Sequence, residues 1–285
     1  MTTINKNTKF LIVGLGLLGG SYARGLTEKG YYVEAITHSE KTAQYAIEHE
    51  LVKKASHTVD EEMIKSADII IFALYPTTFI DWIEEYGKLL KPGTLITDVT
   101  GVKGCVVEKI QDMLPPLVEF ISAHPMAGKE VYGVENSDER IFYGANYIVV
   151  PTSRNTESGI EACKRIGEIL GFGKISELSP EGHDEMIGFV SQLTHCIAVS
   201  LMTCYENERL EKYTGDSFRD LTRIANINEN MWSELFLMNK EPLLRQMELF
   251  MGQFQKMHEC LQNDDRQGLK DMMIMSTQRR KKFDK

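Results

Sequence analysis

Residues 9–20 have the sequence KFLIVGLGLLGG, a short apolar run followed by closely spaced glycines. The apolar run at 10–13 predicts a buried parallel strand, and the residues after the glycines continue as a helix. Gly14, Gly16 and Gly19 fit Gly-x-Gly-x-x-Gly, which combines a tight turn, close approach to a pyrophosphate and close helix–strand packing. The start of the predicted helix also presents unpaired N–H groups to phosphates. We therefore expect dinucleotide binding here, and the alternative is a tight turn that binds nothing.

Composition argues against several classes of partner. The 285 residues carry a formal net charge of −9, which disfavours broad nucleic-acid binding. Five cysteines without a Cys-x-x-Cys pair are typical of free thiols in a reducing cytosol, and the N-terminus lacks a signal-peptide pattern. The apolar segment 186–205 contains too many polar side chains for a lipid-facing span, so we expect a buried helix. The prediction is a cytoplasmic protein without nucleic-acid, membrane or metal partners.

The chain divides into two halves with different patterns. Strand and helix patterns alternate over the first half, which predicts a doubly wound parallel sheet with helices on both faces. The predicted strands are 10–13, 31–37, 68–74, 94–99, 118–122 and 147–150. After Pro151 the pattern is helical apart from a short strand at 174–178. We expect an α/β protein with a dinucleotide-binding domain at 1–151 and a helical domain at 152–285, which has a methionine-rich core and forms a homodimer.

The predicted cofactor site lies outside the carboxyl ends of the strands, where ligands of such sheets bind. The residues expected there are Gly14, Leu15, Gly16, Leu17, Leu18, Gly19, Thr37, His38, Ser39, Leu74 and Pro76. The end of the second strand, at 37–39, lacks the acidic residue that usually binds the ribose 2′-hydroxyl of NAD. Because its hydroxyl and imidazole groups can accommodate a 2′-phosphate, NADP is favoured over NAD. The alternative is NAD bound with ribose contacts from a neighbouring loop.

Two groups of polar residues are candidates for chemistry. His124 begins the string HPMAG near the end of a predicted strand, and its pKa near neutrality suits a general base. The alternative is a loop histidine that caps backbone groups. Ser191, Gln192 and His195 share one face of an apolar helix, where they bind a polar ligand or are satisfied by another helix.

Arg223 is a third candidate, because it lies between Leu221 and Ile224. Arginine is rarely buried without an anionic partner, and its planar fork matches a carboxylate. Asp220 lies one helical turn earlier and is the candidate partner in a structural ion pair. A ligand carboxylate is the other possibility.

Together these motifs resemble the prephenate dehydrogenase family, which includes the arogenate and cyclohexadienyl dehydrogenases of tyrosine biosynthesis. The resemblance runs along nearly the whole chain. It is carried by the glycine motif at 14–19, TDV at 97–99, VK at 102–103, HPMAG at 124–128, SQLTH at 191–195, FRD at 218–220 and TRIA at 222–225. The combination of HPMAG after a predicted strand with TRIA downstream is quite specific.

The resemblance implies a Rossmann domain, an intertwined helical dimerisation domain and an active site in the cleft between them. It implies that a ring-carbon hydride moves to the nicotinamide of NAD or NADP while the ring carboxylate leaves as carbon dioxide. Prephenate thereby becomes 4-hydroxyphenylpyruvate. By this resemblance His124 withdraws the proton of the ring hydroxyl and Arg223 holds a substrate carboxylate. Ser191 and His195 match substrate-contacting positions, and Gln192 lies on the same side.

Gly101 departs from the family pattern, because many members have a serine there that helps to orient the catalytic histidine. Thr100 is adjacent and is a candidate substitute at the substrate, although the offset of one residue points its side chain elsewhere. The residue that takes over the role of the serine stays open at this point.

Three other functions are compatible with parts of the sequence. Arogenate, which has an amine where prephenate has a keto group, is the nearest alternative substrate. The β-hydroxyacid dehydrogenases share the plan of a Rossmann domain plus helices but use a lysine on the interdomain helix, where this chain has Ser191, Gln192 and His195. A non-catalytic dinucleotide sensor would need the glycine turn but neither His124 nor Arg223.

Overall fold

The computed structural model describes residues 4–283, and its first part alternates strands and helices. The strands are β1 Lys9–Val13, β2 Tyr32–Ile36, β3 Lys54–Ser56, β4 Ile69–Phe72, β5 Leu95–Asp98 and β6 Glu119–Phe120. The helices are α1 Leu17–Glu28, α2 Glu40–Glu48, α3 Glu61–Ser66, α4 Pro76–Tyr86 and α5 Val107–Met113. Strand β3 and helix α3 are additional to the predicted elements, because both are short and β3 lacks an apolar run.

These six strands form one parallel sheet in the order β3-β2-β1-β4-β5-β6, with apolar clusters on both faces. In the register, Val13 pairs with Ile36 on one side and with Phe72 on the other, and Phe72 pairs with Asp98. The carboxyl ends of the central strands therefore meet at one edge. The predicted doubly wound sheet is confirmed, and this edge is where its ligands bind.

A second, three-stranded sheet follows. Its strands are β7 Ser122–Met126, β8 Asn146–Val150 and β9 Lys174–Glu177. Strand β8 pairs antiparallel with β7 and parallel with β9. The prediction of a single strand at 118–122, with 147–150 closing the parallel sheet, is therefore wrong, since an apolar run does not specify which sheet it joins. As a result His124 lies inside β7, opposite Ile148, rather than in a loop.

Helix α6, Glu157–Leu170, packs with the first half of the chain. Its residues Cys163, Ile166 and Leu170 are buried in the same apolar cluster as α1 and β8. Strand β9 then extends the sheet that contains β8. We propose that the domain boundary lies after β9 rather than at residue 151, because the packing of α6 and β9 belongs to the first domain.

The rest of the chain is helical, as predicted. The helices are α7 Pro180–Ile187, α8 Thr194–Thr203, α9 Asp216–Thr222, α10 Glu229–Met238, α11 Lys240–Gln262 and α12 Arg266–Arg280. A π-helical turn at Gly188–Leu193 joins α7 to α8. On α11 the buried residues are Leu243 and Gln246, whereas Met251, Met273 and Met275 are at least half exposed. Within a single chain, these methionines of α11 and α12 therefore do not form the expected core.

The segment Pro180–Thr203 is the one helical run among the described residues with the length and hydropathy of a membrane span, a property that core helices of soluble proteins share. His183 and Gln192 are buried on one side of it, whereas Phe189 and Val190 are exposed on the other. The predicted buried helix is therefore only partly buried within a single chain.

Candidate active site

A cavity of about 510 Å³ opens where the carboxyl edge of the parallel sheet meets the helical half. The sheet side contributes residues 16–19, 73–76, 99–101 and 124–133. The helical side contributes residues 187, 191, 192, 195, 224, 226–228, 231, 232 and 235. Motifs that are far apart in the sequence thus face one another across a single space.

The glycine turn forms one wall of this cavity. Gly14 has φ of +98°, and a Cβ there would lie 2.5 Å from the carbonyl oxygen of Ala73. A Cβ on Gly19 would lie 1.9 Å from the carbonyl oxygen of Gly14, whereas a Cβ on Gly16 would meet no atom within 4 Å. Gly16 is also the N-cap of α1 and no side chain caps that helix, so the N–H groups of its first turn are left for a ligand. These residues fit the pyrophosphate of a dinucleotide.

Four further residues of the predicted cofactor set line the cavity: Leu17, Leu18, Leu74 and Pro76. Leu15 does not, because it is buried in the apolar core. Leu74 and Pro76 are placed there by the end of β4 and the start of α4, where the proline occupies the first helical turn.

Residues 37–39 lie beside the glycine turn but outside the cavity lining. The Gly14 N–H donates to the carbonyl oxygen of Ile36 at 2.8 Å, which holds the turn next to the end of β2. Of the three residues, the first is buried and the second is exposed, and Ser39 caps α2 by accepting from the Thr42 N–H at 3.3 Å. In sheets of this type, the end of the second strand is where the ribose of the dinucleotide is bound.

His124 is hydrogen-bonded to a second histidine. Its Nδ1 lies 2.9 Å from Nε2 of His183, which comes from α7. Nδ1 of His183 lies 2.7 Å from Oδ1 of Asp184. The Asp184 carboxylate also accepts from the backbone N–H of Lys103 at 2.8 Å and of Gly104 at 2.7 Å. These contacts leave Nε2 of His124 as the ring nitrogen available to a ligand in the cavity.

Burial controls the protonation of both histidines. It lowers the pKa of His124 well below the ordinary value of 6.5, and the neighbouring His183 and Lys103 lower this pKa further. Burial also lowers the pKa of His183, while the hydrogen bond to Asp184 opposes that change. His124 is therefore neutral at neutral pH, which is the state that a general base requires.

The hydroxyl of Thr100 is already hydrogen-bonded within the protein. The hydroxyl donates to the carboxylate of Asp98, which also lies 2.8 Å from Nζ of Lys103. All three side chains are buried, and burial lowers the pKa of Lys103. Lys103 also donates to the carbonyl oxygen of Ala123 at 2.7 Å, so this ion pair fixes the backbone beside His124. Thr100 lines the cavity, but its hydroxyl is engaged by Asp98, and its role as a substrate contact stays a prediction.

Gln192 lies on the cavity wall but is held by neighbouring helices. It is buried, and its amide donates to the carbonyl oxygen of Leu235 at 3.1 Å. The amide oxygen of Gln192 accepts from Asn239 at 2.7 Å. These two hydrogen bonds, to Leu235 of α10 and to Asn239 before α11, occupy the amide group of Gln192. For Gln192 the alternative given in the sequence analysis therefore applies, that its polar group is bound by other helices.

His195 and Ser191 remain available to a ligand. Both line the cavity, and Ser191 lies in the π-helical turn, a feature that often occurs at functional sites. The ring of His195 stacks on Trp232 with centroids 3.7 Å apart. Its Nδ1 lies 2.9 Å from the carbonyl oxygen of Ser191, which leaves Nε2 for a ligand.

Arg223 is paired with an acid that the sequence did not indicate. Its guanidinium contacts the carboxylate of Glu130, so the predicted pairing with Asp220 is wrong. The Arg223 side chain is 63% exposed, which contradicts the buried setting suggested by its apolar neighbours. Arg223 itself does not line the cavity, but Glu130 does. The guanidinium thus already holds a carboxylate at the rim of the site.

Sequence reasoning missed His183, Asp184 and Glu130. The sequence carries no signal for the first two, because they lie in the polar stretch PEGHDE, where titratable side chains are ordinarily exposed. Nothing in their spacing connects them to His124, which lies 59 residues before His183.

Family models match most of the chain. Residues 22–173 match "Prephenate dehydrogenase, nucleotide-binding domain" and residues 179–275 match "Prephenate dehydrogenase, dimerization domain". The chain belongs to the prephenate dehydrogenase family. The predicted fold class, the family and the class of oxidoreductase are thereby confirmed, and the first domain is a nucleotide-binding domain.

Named relatives agree with this family. The chain is 28% identical over 266 residues to prephenate dehydrogenase of Bacillus subtilis (strain 168), covering 91% of this chain and 71% of the relative. It is 30% identical over 252 residues to prephenate dehydrogenase of Lactococcus lactis subsp. cremoris (strain MG1363), covering 85% and 68%. The crystal structure of prephenate dehydrogenase from Aquifex aeolicus in complex with hydroxyphenyl propionate and NAD+ superimposes with a TM-score of 0.89 at 27% identity, covering 97% of this chain and 98% of that one.

Proposed function

We propose that this protein catalyses the oxidative decarboxylation of prephenate to 4-hydroxyphenylpyruvate, a step of tyrosine biosynthesis. The observation that carries the proposal is the placement of His124 in one cavity with the glycine turn. Its Nδ1 is engaged by His183 and burial keeps the ring neutral, so Nε2 is a base beside a dinucleotide site. The family supplies the substrate class.

The glycine turn holds the cofactor in this proposal. A nicotinamide dinucleotide bound there would supply the acceptor for the hydride that leaves the substrate ring. Gly16 and the first turn of α1 bind the pyrophosphate, while Leu74 and Pro76 give the cavity an apolar wall. We propose NADP as the preferred form, because residues 37–39 present no carboxylate that would repel a 2′-phosphate. The Aquifex aeolicus relative contains NAD+, so both forms belong in the assay.

The substrate lies between His124 and the helical wall. His124 accepts the proton of the ring hydroxyl at Nε2 as the carbonyl develops, and loss of carbon dioxide then makes the ring aromatic. Because aromatisation drives the reaction, the protein mainly orients the reacting groups. Arg223 holds a substrate carboxylate in place of Glu130, since its guanidinium already binds a carboxylate at this rim. Ser191 and His195 supply polar contacts from the helical side.

We also propose that the protein works as a cytoplasmic homodimer. The second half matches a family model described as a dimerization domain. Its helices expose large apolar side chains in a single chain, among them Phe189, Leu249 and Phe254. Contiguous apolar surface of this kind is typical of a protein–protein interface.

The test of the proposed function is an absorbance assay of the reduced nicotinamide, with prephenate and arogenate each combined with NAD and NADP. We expect turnover of prephenate, and His124→Asn should lower kcat by about 100- to 10,000-fold, the usual contribution of a general base. Cofactor affinity, measured by fluorescence titration, should change little in this variant because the glycine turn is intact. Turnover of arogenate alone would reassign the substrate, and no turnover of either compound would contradict the proposal.

A further inference from the structure

The base in the proposed reaction must present a bare nitrogen to the substrate, and a neutral histidine can carry its single proton on either nitrogen. Gly101 has no side chain to select between the two tautomers of His124, although a Cβ there would lie only 4.0 Å from Cε1 of His124. Thr100 is bound to Asp98. The selection must therefore come from another contact of the ring.

We propose that His183, oriented by Asp184, is a positioning residue that fixes His124 as the Nδ1-protonated tautomer with Nε2 bare. The inference rests on the proposed function, since it assigns the atom that accepts the substrate proton. In this proposal the two domains each contribute a residue to the base, because His124 lies on β7 and His183 lies on α7.

The hydrogen bonds His124–His183 and His183–Asp184 have a fixed direction, which is set by Asp184 at one end. Asp184 is fixed by two backbone N–H donors, from Lys103 and Gly104, and its carboxylate can only accept. Nδ1 of His183, at 2.7 Å from that carboxylate, must therefore carry the proton and donate it. A neutral His183 then has a bare Nε2, which can only accept from Nδ1 of His124 at 2.9 Å.

The same contacts act on the protonated base. When Nε2 of His124 takes the substrate proton, the imidazolium keeps its Nδ1–H bond to His183, and Asp184 supplies a negative charge behind His183. The proton remains on Nε2 of His124 until loss of carbon dioxide places an electron pair on the ring oxygen. That oxygen then takes the proton back and becomes the phenol of the product, so no further proton acceptor is required. His183 is fully buried, which keeps water from competing for Nδ1 of His124.

Three variants test whether His183 and Asp184 fix the tautomer of His124. In His183→Leu, which removes the acceptor, we expect kcat to fall about 100- to 1,000-fold, with KM for substrate and cofactor within about threefold. His183→Gln keeps an acceptor oxygen and should retain kcat within about tenfold of wild type. Asp184→Ala removes the acceptor that fixes the proton of His183 on Nδ1, so His183 can carry its proton on Nε2 and no longer only accept from His124; kcat should fall at least about tenfold. The matched control is His49→Gln, at an exposed histidine that follows the last residue of α2, and it should leave kcat unchanged.

A measurement without substrate separates this inference from the proposed function. Protein labelled with ¹⁵N-histidine reports whether each ring nitrogen is protonated, and His124→Asn identifies the signals of His124 among the seven histidines. We expect a protonated Nδ1 and a bare Nε2 for His124 in wild type, and a mixture of the two tautomers in Asp184→Ala. A bare Nδ1 in wild type would overturn the inference, and so would His183→Leu with wild-type kcat. An inactive wild type with the expected tautomer would contradict only the proposed function.

Discussion

At the scale of single residues, the site contains one buried ion pair and one exposed ion pair, and the two differ in how easily a ligand can replace a partner. The Asp98–Lys103 pair is fully buried, and its two side chains make six further hydrogen bonds with their surroundings, so it fixes the backbone next to His124. The Glu130–Arg223 pair is at the rim, and its guanidinium is largely exposed. Exposed ion pairs are weak, at about 0 to 1 kcal/mol, because water screens both charges. A substrate carboxylate can therefore replace Glu130 at little cost, whereas Asp98 cannot be displaced.

The pH dependence of activity belongs to His124. Because burial lowers its pKa below 6.5, the folded protein takes up this proton only at acidic pH, and activity is lost as pH falls through the lowered pKa. The charged and titratable groups that face it are His183, Lys103 and, behind them, Asp184. We expect the acid limb of kcat/KM to have its midpoint below 6.5, measured with saturating cofactor. The unfolded chain binds this proton near 6.5, so the free energy of unfolding should also decrease as pH falls below that value. A midpoint at or above 6.5 would contradict the burial of the base.

At the scale of elements, the turn between β1 and α1 shows how one motif uses glycine in different ways. A side chain on Gly19 would collide with the carbonyl of Gly14, whereas a side chain on Gly16 would enter open space in the cavity. Gly19 is needed for the close packing of α1 against its strand, and Gly16 leaves space for the ligand to approach the backbone. The spacing of the motif predicted both roles, because the geometry is local.

Two alanine variants separate these roles. Gly19→Ala should destabilise the fold by about 1 to 3 kcal/mol, because backbone must move to admit the methyl group. Gly16→Ala should leave the thermal unfolding temperature within about 2 °C of wild type, since its methyl group meets no protein atom within 4 Å. It should instead weaken NAD or NADP binding at least tenfold, or about 1.4 kcal/mol, in a fluorescence titration. Equal cofactor affinity in Gly16→Ala and wild type would show that the ligand does not approach this backbone.

At the scale of the whole molecule, local patterns predicted more than long-range pairings. The parallel sheet and the helical second half followed from apolar periodicity, and the motifs singled out His124 and His195, which both line the cavity. The antiparallel pairing of β7 with β8, the attachment of α6 to the first domain and the contact of His183 with His124 did not. These features depend on which surfaces meet after the chain has folded. The partner of Arg223 is of the same kind, since Glu130 lies 93 residues away.

The exposed apolar face of the second half carries the last prediction, which concerns the proposed homodimer. Phe250 and Phe254 stack on α11 with both rings exposed, so a carboxylate at 254 would place a charge within apolar surface that a partner chain covers. We expect wild type to have twice the chain mass of 32.4 kDa by light scattering, and Phe254→Glu to shift toward the single-chain mass. Glu259→Lys is the control, because this exposed side chain lies five residues after Phe254 and is turned about 140° away from it around the helix. A wild-type mass of one chain would contradict the dimer, and an unchanged mass in Phe254→Glu would exclude this face as its interface.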